Sequence, residues 1–196
     1  MTGDVDLFAS PMQQLLDDAE GGVRYWPSFV DAATAGGWFE ALRDGADWRS
    51  QRRMMYDREV DVPRLVASHW FDELPPDSPL PLAAMLARVQ GLAPAPYTAA
   101  GMNFYRDGRD SVAMHHDKLR MLVPGHPLAL VSLGDPRRMR IRAQGDHRDA
   151  IEVPLAHGSL LVMSHASQLT HEHGIPKTAR PVGPRMSIVF RVRPPR

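Results

Sequence analysis

Apolar residues follow two different spacings along this chain. Up to about residue 96 they recur at helical intervals in two places. Trp38, Phe39 and Leu42 give an apolar face to a helix over 32–43, with Asp31 as its N-cap and the Gly36-Gly37 pair weakening it. Leu82, Met85, Leu86 and Val89 predict a second helix from Pro81 to Gly91, with Pro81 near its first turn and Gly91 and Pro94 ending it. Beyond residue 96 the pattern becomes short extended runs punctuated by Gly and Pro: 97–106, 112–117, 128–133, 138–143, 151–155, 159–164, 169–175 and 185–193. Within 138–143, Met139 and Ile141 alternate with Arg138, Arg140 and Arg142, as on a half-exposed strand. Short strands in series with no helix between them predict an antiparallel jelly roll. The expected class is therefore α+β, a double-stranded β-helix (jelly roll) with N-terminal helices packed on the outside.

The same pattern divides the chain. Residues 1–22 are polar around a short apolar cluster, Met12 to Leu16, and read as a flexible N-terminal arm with one helical turn. Residues 23–196 form a single domain, with a helical and substrate-lip part over 23–96 and the jelly-roll core over 97–193, because two helices are too few to make a second core. Within the first part, 49–60 carries Arg49, Arg52, Arg53 and Arg58 interleaved with Met54, Met55 and Tyr56. That segment is either a solvated loop or edge strand, or a basic, aromatic-containing lip over a substrate groove.

Composition narrows the chemistry. The 196 residues suit one domain, and 43% hydrophobic content suits a packed core. Lys plus Arg equals Asp plus Glu at 23 each, so nucleic acid would have to be met by a local basic patch. With no Cys, thiolate metal sites, disulfides and Cys nucleophiles are excluded, leaving His and carboxylate as metal ligands. No apolar run approaches about 18 residues, and the acidic N-terminus lacks a basic-then-apolar leader pattern. A cytoplasmic protein without a membrane segment or an obligate protein partner is the expectation.

The nine His are a large supply, and their placement matters. Residues 103–117 end in His115-His116-Asp117, and a His and an Asp two apart on an extended chain share one face. A second His pair two apart, His171 and His173, follows Gln168. On 185–191, Arg185, Ser187, Val189 and Arg191 share one strand face, and Met186, Ile188 and Phe190 share the other. Two Arg on the inner face of a jelly roll would need a dianionic partner such as a dicarboxylate co-substrate.

The order Asn103-x-Tyr105, Gly108, His115-x-Asp117, Ser132-Leu-Gly134, Gly158-Ser-Leu-Leu-Val-Met163, Gln168, His173-x-Ile-Pro176 and Arg185-x5-Arg191 resembles the AlkB family of Fe(II)- and 2-oxoglutarate-dependent dioxygenases. The resemblance covers about residues 99–193, with a weaker echo in Tyr25 to Phe29 and Met55-Tyr56. Its register selects His115 over His116 and His173 over His171. It implies that His115, Asp117 and His173 are the catalytic facial triad that holds Fe(II) and leaves positions open. It further implies that Asn103 and Tyr105 hydrogen-bond 2-oxoglutarate, that Arg185 pairs with its distal carboxylate, and that Arg191, with Ser187 between, holds the near end of the co-substrate or Asp117. Arg137 matches a position close to nucleic acid or substrate. The implied reaction consumes O2 and 2-oxoglutarate, hydroxylates an N-alkyl group of a base in alkylated DNA or RNA, and releases aldehyde, succinate and CO2.

Three positions depart from the family pattern. Leu119 stands where an acidic residue commonly contacts the damaged base, His171 where an aromatic is common two before the second His ligand, and Met139 where a Phe is common. They bear on the substrate alone, and Tyr56 or Arg137 could supply a base contact instead. An alternative is the same oxidative chemistry on a protein side chain or small metabolite. A catalytically silent binding module is a third reading, and it would have no need of the triad or of both Arg.

Overall fold

The structure, a computed structural model, describes residues 11–55, 58–146 and 148–196. Among the described residues twelve strands form two sheets. The larger has eight strands in the order β1 (Gln13–Leu16), β2 (Val23–Trp26), β10 (Ser159–Met163), β7 (Leu128–Gly134), β12 (Arg185–Arg191), β5 (Ala99–Tyr105), β4 (Arg58–Trp70) and β3 (Arg49–Met55). The smaller runs β6 (Val112–His115), β11 (His171–Ile175), β8 (Arg137–Ala143) and β9 (Ile151–Leu155). Every pairing is antiparallel. This is the expected jelly roll.

The period-2 pattern decides which side chains face which layer. Along β12, Met186, Ile188 and Phe190 join the core under the helices, and Val189 joins the core between the sheets. Along β7, Ala129, Val131 and Leu133 face the helices, while Leu128 and Leu130 face the interior. The helix-side core includes Trp38 and Leu42 of α1 (Ala32–Gly45) and Leu82, Met85 and Val89 of α2 (Leu82–Leu92). Phe71 stacks on Phe190, ring centroids 6.0 Å apart, where the chain leaves β4. Each such side chain, fully buried, contributes about 1.5–3 kcal/mol. Asp31 caps α1 as expected, its Oδ1 accepting the Thr34 N–H at 2.8 Å.

The structure corrects four expectations. Met12 to Leu16 is no helical turn: Gln13–Leu16 is an edge strand paired with β2, and Asp18 accepts the N–H groups of Glu20 and Gly22 to close the turn between them. Of the expected flexible arm, residues 11–22 are thus tied to the sheet. Residues 23–96, expected as the helical and substrate-lip part of the domain, also supply β2, β3 and β4 to the eight-stranded sheet, β4 pairing with β5 from Trp70↔Ala99 to Leu65↔Phe104. The expected strand 169–175 starts later, after helix α3 (His165–Thr170), whose N-cap Ser164 accepts the Ser167 N–H at 2.9 Å. The strand expected over 112–117 ends at His115, so Asp117 lies beyond it.

The turn between β7 and β8 depends on glycine. Gly134 has φ +86°, and a Cβ there would lie 2.3 Å from the Pro184 carbonyl oxygen.

Candidate metal and co-substrate site

The inner face of the larger sheet carries polar residues in register. Asn103 (β5) pairs with Ser187 (β12), Ser187 with Ser132 (β7), and Ser132 with Ser159 (β10). In the next inward-facing row Tyr105 pairs with Arg185. A polar band therefore crosses the apolar interior, and a buried band of this kind needs a polar occupant.

At one side of the band lies the metal cluster. His115 closes β6 directly opposite His173 of β11, which brings the rings to 4.6 Å between centroids. The candidate ligand atoms of His115, Asp117 and His173 all lie within 4.8 Å of one another. Two of the three candidate ligands are held by a hydrogen-bonded neighbour. His115 Nδ1 lies 2.9 Å from the Ala113 carbonyl oxygen; the carbonyl can only accept, so Nδ1 donates and Nε2 is the ring nitrogen left to face a metal. The Asp117 Oδ2 accepts from Arg191 Nε at 2.7 Å, and Oδ1 is the oxygen within 4.0 Å of His115 Nε2. Burial would raise the Asp117 carboxyl pKa, but the Arg191 guanidinium beside it more than offsets this and holds it below the usual carboxylate value. The fully buried His173 is pushed down to about 3, by burial first and then by His115. Two imidazoles and one carboxylate are the donor set of a non-haem Fe(II) centre, and they fit that ion.

Toward the start of β12, Arg185 is 0% exposed. Its Nε donates to Ser132 Oγ at 3.3 Å, its guanidinium carbon lies 5.1 Å from the Tyr105 ring centre, and NH1 and NH2 have no hydrogen-bond partner among the described residues. Burial pushes its pKa down to about 10. A buried guanidinium with two free nitrogens is complementary to one end of a dicarboxylate. The residues present therefore fit 2-oxoglutarate as well as iron.

Of the other expected positions, Asn103, Tyr105, Ser187 and Arg191 line the same interior face. Asn103 Oδ1 accepts from Arg64 Nε at 2.7 Å, which leaves the amide NH2 to donate inward. Leu119 sits in a 3-10 turn over 119–121 beside Asp117, 37% exposed. Tyr56 lies outside the described residues. The structure places Arg137 differently from the substrate-facing expectation. It is 4% exposed, NH1 donates to the Asp107 carbonyl oxygen, and NH2 donates to those of Asp110 and Pro176, so it ties loops to β8. In the expected basic stripe, Arg138 pairs with Glu152 and Arg142 with Glu172, which removes most of its excess charge.

Sequence reasoning passed over Gly101. A Cβ there would lie 2.8 Å from Arg191 NH1, so the bare backbone makes room for the guanidinium that holds Asp117. A glycine inside a strand pattern is the signal that could have found it. Ser132, quoted for its spacing, and Arg64 were given no role.

Residues 71–191 match the 2OG-Fe(II) oxygenase superfamily, and the chain belongs to it. Fe(II), 2-oxoglutarate and O2 are the cofactor set of that family, in agreement with the donor sets above. Among curated proteins it is 30% identical over 185 residues to the mouse alpha-ketoglutarate-dependent dioxygenase alkB homolog 3, covering 85% of this chain and 64% of that one. It is 33% identical over 129 residues to the human DNA oxidative demethylase ALKBH2, covering 58% of this chain and 48% of the relative. Both relatives are AlkB homologues by name, in keeping with the resemblance read from the motifs. The solved structure of OsALKBH1 shares the fold, with a TM-score of 0.65 at 16% identity over 92% of this chain and 99% of the other. The chain thus spans just under two thirds of the length of the mouse relative.

Proposed function

We propose that the protein is an Fe(II)/2-oxoglutarate-dependent dioxygenase that oxidatively N-dealkylates alkylated nucleobases in DNA or RNA, and so acts in repair of alkylation damage. The observation that carries this reading is the placement of His115, Asp117 and His173 on the same interior as an unpaired, fully buried Arg185. The similarity to a protein named a DNA oxidative demethylase supports the substrate class.

His115, Asp117 and His173 would hold the iron; Arg185 would take the distal carboxylate of 2-oxoglutarate; Asn103, Tyr105 and Ser187 would line the co-substrate between. Bound there, the iron supplies activation of O2 coupled to oxidative decarboxylation of the co-substrate. The chain's own residues orient and protect. Arg191 keeps one Asp117 oxygen occupied and the other free. Ala113 fixes the His115 tautomer. Tyr105, Leu128, Leu130, Ile141 and Val189 surround the interior with apolar surface that excludes water. One oxygen atom of O2 ends in succinate and the other in a hydroxymethyl group on the base nitrogen. The C–N bond then breaks, the nitrogen takes the hydroxyl proton, and formaldehyde leaves. A base in a duplex has to be flipped out of the stack to reach such a site. The approach to nucleic acid would use local basic patches, chiefly the arginines of 49–58.

The second reading, the same chemistry on a protein side chain or small metabolite, is favoured by Leu119 and by zero net charge. Iron-loaded protein incubated with 2-oxoglutarate and methylated oligonucleotides separates them. Formaldehyde release with restoration of the base is expected. Succinate formation with the methylated base left intact would refute the nucleic-acid reading and leave the second.

A further inference from the structure

Asp117 is the one member of the metal cluster that no strand holds, because β6 ends at His115. Arg191 fixes its carboxylate; its backbone is fixed by Gln168, 1% exposed, whose Oε1 accepts the Asp117 N–H at 3.1 Å. A backbone N–H can only donate, so the side-chain amide oxygen must face Asp117. The other contacts of that amide are longer: Nε2 lies 3.7 Å from Met163 Sδ and 3.5 Å from Ser167 Oγ.

Gln168 belongs to α3, six residues long. A helix that short does not hold itself together. It is held at its start by the turn between β1 and β2. Ser164 Oγ donates to Asp18 Oδ2 at 2.6 Å, the Ala166 N–H donates to Glu20 Oε2 at 2.7 Å, and the Ser164 N–H donates to the Gly22 carbonyl at 2.9 Å. The other oxygen of Asp18 accepts the Glu20 and Gly22 N–H groups at 2.8 and 2.9 Å, which ties the turn to itself.

We infer that Gln168 is a positioning residue for the metal ligand Asp117, and that the acidic turn carrying Asp18 and Glu20 serves the metal centre by presenting α3. The hydrogen bonds run from the turn to α3 and from α3 to Asp117. The inference rests on the iron reading of His115, Asp117 and His173, not on the identity of the substrate. Partners that orient metal ligands typically change metal affinity about 10- to 100-fold when removed.

The test uses the full chain and reads metal binding directly. Gln168→Met keeps the side chain's length and removes its acceptor. Mn(II) affinity is measured by calorimetric titration, the ligand-field absorption of the Co(II) form is recorded, and the melting temperature of the metal-free protein is taken. Expected in Gln168→Met is a rise of about 10-fold or more in the Mn(II) dissociation constant, with a changed Co(II) spectrum. The control Val89→Ala lies in the core under α2 and should lower the melting temperature while its metal affinity stays within twofold of wild type. Asp18→Ala/Glu20→Ala, surface changes that carry the test should Gln168→Met fail to fold, should weaken Mn(II) binding about threefold or more with the same spectral change. A Gln168→Met affinity within twofold of wild type overturns the inference and leaves the metal centre standing. So does a Val89→Ala loss as large as that of Gln168→Met. Wild type that binds neither Mn(II) nor Co(II) overturns both.

Discussion

Arg185→Met should make the protein more stable and useless. In the wild type the Arg185 guanidinium is fully buried with two nitrogens unpartnered, and its pKa falls from 12.5 to about 10. At about 1.4 kcal/mol per unit, burying the charge costs about 3 kcal/mol. Met fills similar space without charge. Against that gain stand the lost Ser132 contact and the lost stacking over Tyr105, together about 1–2 kcal/mol. The net is a gain of about 1–2 kcal/mol, or about 2–8 °C in a domain of this size. Co-substrate inverts the order. At 100 times its dissociation constant, 2-oxoglutarate adds about 2.7 kcal/mol to any protein that binds it only when folded, and Arg185→Met has lost the partner for the distal carboxylate. Thermal melts of both proteins with Mn(II), with and without 2-oxoglutarate, should therefore cross: variant higher without co-substrate, wild type higher with it. A variant that melts several degrees lower in the absence of co-substrate, yet is still raised by 2-oxoglutarate as much as wild type, would refute the argument that Arg185 is a strained, waiting anion site.

Three further outcomes follow from the geometry. Gly101→Ala puts a methyl group where Arg191 NH1 lies and should weaken Mn(II) binding about 10-fold by displacing the partner of Asp117, measured by titration; unchanged affinity would show that Arg191 is not needed there. Asp110 is buried, which alone would raise its pKa, but Arg106 grips both carboxylate oxygens and the net shift is downward. A folded pKa below the unfolded one gives stability that is present above about pH 4 and lost as pH falls through the folded value. Asp110→Asn should accordingly flatten the fall of melting temperature between pH 5 and 3, and an equally steep fall would rule Asp110 out as a source of it. Leu119→Ala should raise KM for a methylated oligonucleotide severalfold and leave the 2-oxoglutarate affinity alone; a changed co-substrate affinity with unchanged KM would remove Leu119 from the substrate lip.

The legible parts of the sequence were those where one local period had one meaning. On β12 strict alternation separated helix-side from interior residues, and Asp31 announced α1. The His-x-Asp and His-x-His spacings marked the candidate metal positions, but the choice of His115 and His173 came from the register of the family resemblance; the structure brings those two and Asp117 into one cluster. What was not legible depends on long-range pairing. β1 was expected as a helical turn and β3 as a loop, edge strand or lip, since short polar or basic strands have no apolar stripe; it is the pairing of β2 with β10 and of β4 with β5, far along the chain, that joins these hairpins to the sheet. Arg137 read as a substrate residue because nothing local reveals that three carbonyls of distant loops will surround it. Asp117 was expected on an extended run with His115, whereas its position is set by Arg191 and Gln168, 74 and 51 residues away.

β12 lies between β7 and β5, near the middle of the eight-stranded sheet, yet among the described residues it follows every other strand of that sheet in sequence. During synthesis the sheet has a gap at its centre until residues 185–191 emerge. The strand that fills the gap also carries Arg185 and Arg191. A chain cut short by a dozen residues therefore loses the join between two half-sheets together with the co-substrate anchor and the clamp on Asp117. Such a chain would still carry His115, Asp117 and His173, but without Arg191 to hold Asp117 or Arg185 to anchor the co-substrate, so the supports of the site arrive together with closure of the sheet.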